Sequence, residues 1–308
     1  MEVNMQAAPK PQPNHRPTAR LGFRNILFAT DFSPASHLAM LYAGGLARSF
    51  GAQLYAVYVQ EPINYAVPPQ AWKTAEITDE MELKVLIDEL KHNFPDVKPL
   101  LVEARGPVTG TVEETIKSCN IELLVIGTRG RTGLHKLALG SQAEEILRHA
   151  TCPVLTVGPH ASPRRGERGK IASILFATDF GPSSLAAAPV AVSIAEEYQS
   201  RLTLLHVIAD RKPGEFTAPG DFGETTERAL RDLVPEEAHL WCKPHFIVAE
   251  GEPTEKILRT ARELDADLII LGVHAPEGVP GAATHLPIAT VHRIISQAEC
   301  PVLTVRKP

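Results

Sequence analysis

No run of apolar residues in this 308-residue chain approaches the roughly 20 that a membrane-crossing helix needs, which excludes a protein anchored in that way. Residues 1 to 20, "MEVNMQAAPKPQPNHRPTAR", lack the apolar middle of a signal peptide, so a cytoplasmic protein is expected. Cysteine is scarce and scattered: Cys119, Cys152, Cys242 and Cys300 form no C-x-x-C pair, which fits reduced thiols and not a disulfide framework. Positive charge is not in excess either. With 31 Lys and Arg against 36 Asp and Glu, the net charge of −5 argues against nucleic-acid binding by general electrostatics, although a local basic pocket is compatible with it. Also missing are a Walker lysine motif, an evident general base and a metal cage, so a dedicated enzyme is not expected.

What is there is a soluble, globular composition, 44% hydrophobic and 22% charged, with 26 prolines marking punctuated connections. The length favours two domains, and a repeat supplies them. "ILFATDF" occurs at 26–32 and again at 174–180, "CPVLTV" at 152–157 and again at 300–305, and both pairs are 148 residues apart. Start and end of one unit recur in register, as in a duplicated domain. The units are expected at 21–158 and 171–308, joined by the polar linker 159–170 and preceded by a flexible, Pro-rich tail at 1–20.

Within the first unit, short apolar runs alternate with helical periodicity. "RNILFAT", "AQLYAVYV", "PLLVEA", "IELLVIG" and "PVLTV" read as five strands. Ser33 and Pro34 open a helix running to about Phe50, a second helix spans about 73–93, and a capping box from Thr111 to Glu114 opens a third. Strands apolar nearly throughout, alternating with helices, predict an α/β fold: two tandem doubly wound domains, each a five-stranded parallel sheet in the order 3-2-1-4-5 with helices on both faces. At the switch point of such a sheet the ends of strands one and four meet, and ligands bind there. Strand one ends in "ATD"; strand four ends in "GTRGRTGLHKLALGSQAEEIL", residues 127–147.

That loop has the makings of an anion nest. Gly127 and Gly130 let the backbone turn with its N–H groups outward, and Gly140 and Ser141 stand at a helix start, where N–H groups and the dipole favour phosphate. Arg129, Arg131 and Lys136 add charge before any acid appears. The bland alternative is a capped turn, since Ser141 with Glu144 is itself a capping box. Asp31 likewise has two readings: an acid bonded to the turn after it, or an acceptor for ribose hydroxyls or an adenine amino group.

On these residues the chain resembles the universal stress protein family in its tandem form. Gly127, two residues, Gly130, nine residues, then Gly140 and Ser141 match the family's nucleotide signature, and the resemblance covers nearly everything from residue 21. It implies ATP as ligand, with Ala29, Thr30 and Asp31 lining adenine and ribose and Val59 meeting the base through its backbone. Gly127, Thr128, Arg129, Gly130 and Arg131 would cradle the phosphates with Gly140, Ser141, Gln142 and Ala143. Mg²⁺ would accompany the nucleotide, held mainly by phosphate oxygens and water. The resemblance further implies domain pairing within the chain through the last strands, 153–157 and 301–305, and a homodimer of the whole chain. In the second unit the loop is degenerate: Ala275 stands opposite Gly130, Ile288 and Ala289 opposite Gly140 and Ser141, Glu277 adds an acid, and no cation precedes Arg293. The function expected is therefore a stress-response protein that binds ATP in its first domain and uses the second as a structural or partner-binding copy. The alternatives are a nucleotide-free interaction scaffold of chaperone type and a slow ATP hydrolase or phosphoryl-transfer enzyme.

Three lesser features read as structural. His239, Cys242 and His245 have metal-like spacing without a fourth ligand. Cys152 and Cys300 open strands as packing residues. Arg164, Arg165, Arg168 and Lys170 of the linker are expected to stay solvated.

Overall fold

The computed structural model describes residues 22–60, 69–128, 140–161, 170–209, 222–273 and 288–306. The N-terminal tail, Arg129, Gly130, Arg131 and Lys136 of the glycine loop, Ala275 and Glu277, and linker residues Arg164, Arg165 and Arg168 lie outside them. In the first half the order is β1 (Asn25–Thr30), α1 (Pro34–Phe50), β2 (Gln53–Gln60), α2 (Pro69–Asn93), β3 (Leu100–Arg105), α3 (Val108–Ser118), β4 (Leu123–Gly127), α4 (Ser141–His149) and β5 (Val154–Val157). The second half repeats it: β6 (Ser173–Thr178), α5 (Pro182–Tyr198), β7 (Arg201–Ile208), α6 (Phe222–Asp232), β8 (His245–Glu250), α7 (Pro253–Glu263), β9 (Leu268–Gly272), α8 (Ile288–Gln297) and β10 (Val302–Val305). A 3-10 turn at Glu236–Leu240 precedes β8.

Each half contributes five strands, and the two sets join edge to edge into one ten-stranded sheet, ordered β3-β2-β1-β4-β5-β10-β9-β6-β7-β8. Pairing is parallel within each half, and antiparallel where β5 meets β10. At that junction Leu155 faces Leu303, with Thr156 opposite Val302 and Val154 opposite Thr304. Leu155 and Leu303 occupy the same place in the two repeats, so a local two-fold axis runs between them and the contact is self-complementary. Because both strands lie inside the sheet, a further dimer of the chain has to use another surface.

Alternation along the strands sends neighbouring side chains to opposite faces, and each face carries its own core. Phe28, Met40, Leu86, Phe94, Phe176, Ile194 and Leu230 belong to the layer under α1, α2, α5 and α6. Leu27, Val112, Ile146, Ile257, Ile269 and Ile294 belong to the layer under α3, α4, α7 and α8. Both layers draw on both halves, so apolar packing is continuous across the junction. Among the described residues no helix is long and apolar enough to cross a membrane.

Local signals explain most boundaries. Ser33 caps α1, its hydroxyl accepting the Ser36 N–H at 3.2 Å, with Pro34 in the first turn and Gly51 at φ 62° closing the helix. The capping box proposed at Thr111 is not the start of α3. That helix begins at Val108 after Gly106, at φ 141°, and Pro107, whose fixed φ suits the turn, so Thr111 falls inside it. Its counterpart α7 is capped by a carboxylate: Glu252 stands where Pro107 does and accepts the Glu255 N–H at 2.7 Å.

On the second face α4 and α8 meet across the junction, where His292 Nδ1 lies 3.9 Å from Glu144 Oε1. Burial pulls the His292 imidazole below its ordinary value; Arg148 adds to this and Glu144 opposes it. A base with a depressed folded pKa is bound neutral, whereas the unfolded chain takes up the proton near 6.5, so this group withdraws stability as pH falls below that point. Thermal unfolding followed at about pH 7.5 and 5.5 should therefore show a smaller acid-induced drop in Tm for His292→Gln than for the unaltered chain. Equal drops would exonerate the histidine.

Candidate functional site

The C-terminal ends of β1, β2 and β4 and the N-terminus of α4 enclose a cavity of about 480 Å³, within the range of small-molecule sites. Its wall is apolar where Val57, Val59, Ile126, Val108, Val112 and Ile146 converge from two strands and two helices. Its polar end is formed by Thr30, Asp31 and Ser36 on one side and by Thr128, Gly140, Ser141 and Gln142 on the other, with Ala29, Gly127, Tyr58 and Ala143 completing the lining.

Each polar group is held from below. Phe32, at φ 60°, turns the chain sharply after β1, and its N–H donates to Thr30 Oγ1 at 3.0 Å. The Ser33 N–H donates to Asp31 Oδ1 at 3.0 Å, the turn-bonding role that was one of the two readings of this acid. Asp31 also lines the cavity. The Thr30 and Ser36 hydroxyls are 3.1 Å apart. Beside them the Phe32 and Tyr58 rings stack at 4.6 Å, and the Tyr58 hydroxyl donates to Asp79 at 2.7 Å, tying α2 to the rim.

The glycine loop is pinned at both ends by one residue. The Thr128 N–H donates to Val157 O at 3.1 Å, and Thr128 O accepts the Gly140 N–H at 3.0 Å, so β5 and α4 fix where the loop leaves and returns. The Thr128 side chain is 2% exposed, and its hydroxyl has no hydrogen-bond partner among the described residues. A buried orphan hydroxyl in a cavity wall is costly unless a ligand or loop atom completes it. Ser141 is not the cap of its helix: Gly140 is the cap, Ser141 is the first helical residue, and among the described residues no side chain caps the helix. The first N–H groups of α4 thus face the cavity end without a side-chain acceptor of their own at the cap.

Ten of the thirteen residues singled out in the sequence line this one cavity: Ala29, Thr30, Asp31, Val59, Gly127, Thr128, Gly140, Ser141, Gln142 and Ala143. The remaining three, Arg129, Gly130 and Arg131, lie outside the described residues. Sequence reasoning missed the apolar wall of Val57, Val108, Val112 and Ile146, although alternation along β2 with Val59 already pointed to Val57. For Gly127 it missed a packing role. A Cβ there would come within 2.5 Å of the Ser36 N and 2.7 Å of the Ala35 carbonyl carbon, so this glycine lets β4 pass close under α1. Gly272 stands in the same relation to Ser183 and Ser184 of α5, in the half whose loop is degenerate.

In the second half the corresponding carboxylate is turned onto its own helix. Asp179 Oδ1 accepts both the Gly181 N–H at 2.8 Å and the Ser184 hydroxyl at 2.6 Å. His206 replaces Tyr58, stacking on Phe180 at 4.7 Å with Nδ1 2.8 Å from Thr178 O. As for metal, no group of three His, Cys, Asp or Glu among the described residues is placed to hold an ion, His239, Cys242 and His245 included. Burial pushes the Cys152 thiol up to about 12, which keeps it protonated and inert at neutral pH.

Known proteins agree with this architecture. The model of the universal stress protein family matches twice, over residues 22–158 and 170–306. A universal stress protein of Mycobacterium tuberculosis is 24% identical over 312 residues, covering 92% of this chain and 95% of its own. A single-domain homologue from Coxiella burnetii is 37% identical over 141 residues, 44% of this chain and 96% of its own. Among solved structures, a universal stress protein from Archaeoglobus fulgidus superposes with a TM-score of 0.70 at 17% identity, covering 92% of this chain and 96% of its own. With both halves matched by the same family model and 92% of the chain matched by a full-length relative, the chain belongs to the universal stress protein family.

Proposed function

We propose that the first domain, residues 21–158, binds ATP in the cavity between β1 and β4, and that the second domain, residues 171–308, is a structural or partner-binding copy in a cytoplasmic stress-response protein. The observation that carries this reading is a cavity apolar at one end and rich in donors at the other, with the Thr128 hydroxyl unsatisfied and the α4 N-terminus without a side-chain cap among the described residues. In this reading Val57, Val59 and Val112 offer a purine an apolar surface, Asp31 accepts ribose hydroxyls, and Thr128, Gly140 and Ser141 take the phosphates together with the loop cations that the sequence supplies. Mg²⁺, carried in with the triphosphate, would neutralise phosphate charge. The donor set fits it only in that way, since among the described residues Asp31 is the sole carboxylate lining the cavity. The self-bonded Asp179 supports the assignment of the second domain.

The test is calorimetric titration of ATP with Mg²⁺ into protein stripped of small molecules, with mass spectrometry of whatever denaturation releases. The expected stoichiometry is one ATP per chain. Absence of both bound nucleotide and heat would sink the proposal in favour of an interaction scaffold, and ADP, AMP and cyclic AMP titrated in parallel rank the pocket's preference.

A further inference from the structure

The local two-fold relation between the halves is broken at the C-terminal end of α4, the helix whose other end opens onto the cavity. The guanidinium of Arg306, directly after β10, donates to the carbonyls of Leu147 and Arg148, the last turn of α4. At the symmetry-related place stands Gly158, directly after β5, whose Cα lies against the carbonyl of Ile295 in α8 with no room for a Cβ and no side chain to donate. Leu147 and Ile295 are equivalent positions in the two repeats. The second half thus braces the terminal carbonyls of α4, while Gly158 at the equivalent place in the first half gives α8 no such brace. The braced helix is the one that opens onto the cavity, with Ser141, Gln142, Ala143 and Ile146 in its lining.

Only nine residues long, α4 depends on what holds its ends. Carbonyls of a final turn have no partner within the helix, and a cation placed there satisfies them and complements the dipole. Holding the C-terminus therefore keeps the whole short helix, and with it the N–H groups of its first turn, in position.

Resting on the nucleotide reading above, we propose that Arg306 of the second domain is a positioning residue for the first domain's ligand, acting through α4 on the phosphate end of the site and not on the end that holds adenosine. The two ends can be read separately. In Arg306→Ala the affinity for ATP is expected to fall by about fivefold, the size of a helix-terminal charge effect, while the affinity for adenosine stays within about twofold. Amide exchange in 141–149 should quicken in the same variant without nucleotide, and Arg306→Lys, which keeps the charge but not the fork, should lie between. Arg306→Gln, which keeps most of the stem and one donor, serves if the alanine variant is poorly folded, and the same split is expected of it. Unchanged ATP affinity, or an equal fall for ATP and adenosine, overturns the inference and leaves the nucleotide reading standing. Binding of neither ligand by the unaltered chain overturns both.

Discussion

Replacing Ser141 by glutamate is expected to lower ATP affinity by about a hundredfold or more while leaving thermal stability unchanged or slightly raised. Ser141 is the first residue of α4, exposed and in the cavity lining, so a longer side chain is accommodated without repacking the core. An acidic residue in the first turn complements the helix dipole, a gain of about 0.3–1 kcal/mol, so the helix itself benefits. The phosphates do not, since the new carboxylate occupies the place where their charge would sit, and like charges juxtaposed in a binding site cost several kcal/mol. Titration calorimetry paired with a melting curve reads both effects. Loss of binding together with a fall in Tm would mean that the variant damaged the fold. Undiminished binding would mean that the phosphates do not lie at the α4 N-terminus.

The second large effect falls on stability. Gly127→Ala and Gly272→Ala should each destabilise the chain by about 3 kcal/mol, the upper part of the range for an overpacked core. In both halves the added Cβ meets backbone of the helix that follows the first strand, Ala35 and Ser36 in α1 or Ser183 and Ser184 in α5, and backbone cannot rotate aside as a side chain can. The two variants part in their effect on binding. Gly127→Ala pushes β4 away from α1 beside the cavity and should weaken ATP as well, whereas Gly272→Ala should leave nucleotide affinity close to that of the unaltered chain. Denaturant unfolding of both variants supplies the check; a cost below about 1 kcal/mol in each would show that strand and helix separate easily, contrary to the tight approach described above.

These expectations rest on features legible to different degrees in the chain. Most of the candidate site could be read in advance, because its polar half is built from short segments whose chemistry is local: "ATD" at a strand end, glycines and a serine before a helix. Its apolar half, Val108 and Val112 of α3 with Ile146 of α4, could not, since those residues look like ordinary core positions until two helices are laid over one sheet. The Thr111 capping box misled for a related reason: a local motif competed with Gly106 and Pro107 one turn earlier, and the backbone geometry of that pair prevailed.

By itself, then, the sequence determined the repeat, the alternation of strand and helix and the residue types at the switch point, because periodicity, turn chemistry and spacing are properties of neighbours along the chain. Only the tertiary structure decided the register in which the last strands of the halves pair, Leu155 against Leu303, that Gly127 is a packing glycine, that Asp179 is spent on its own helix and that Arg306 reaches α4 across the junction. Each of these depends on which backbone comes within bonding or van der Waals distance of which. Residues far apart in the chain settle that only when the sheet brings them together.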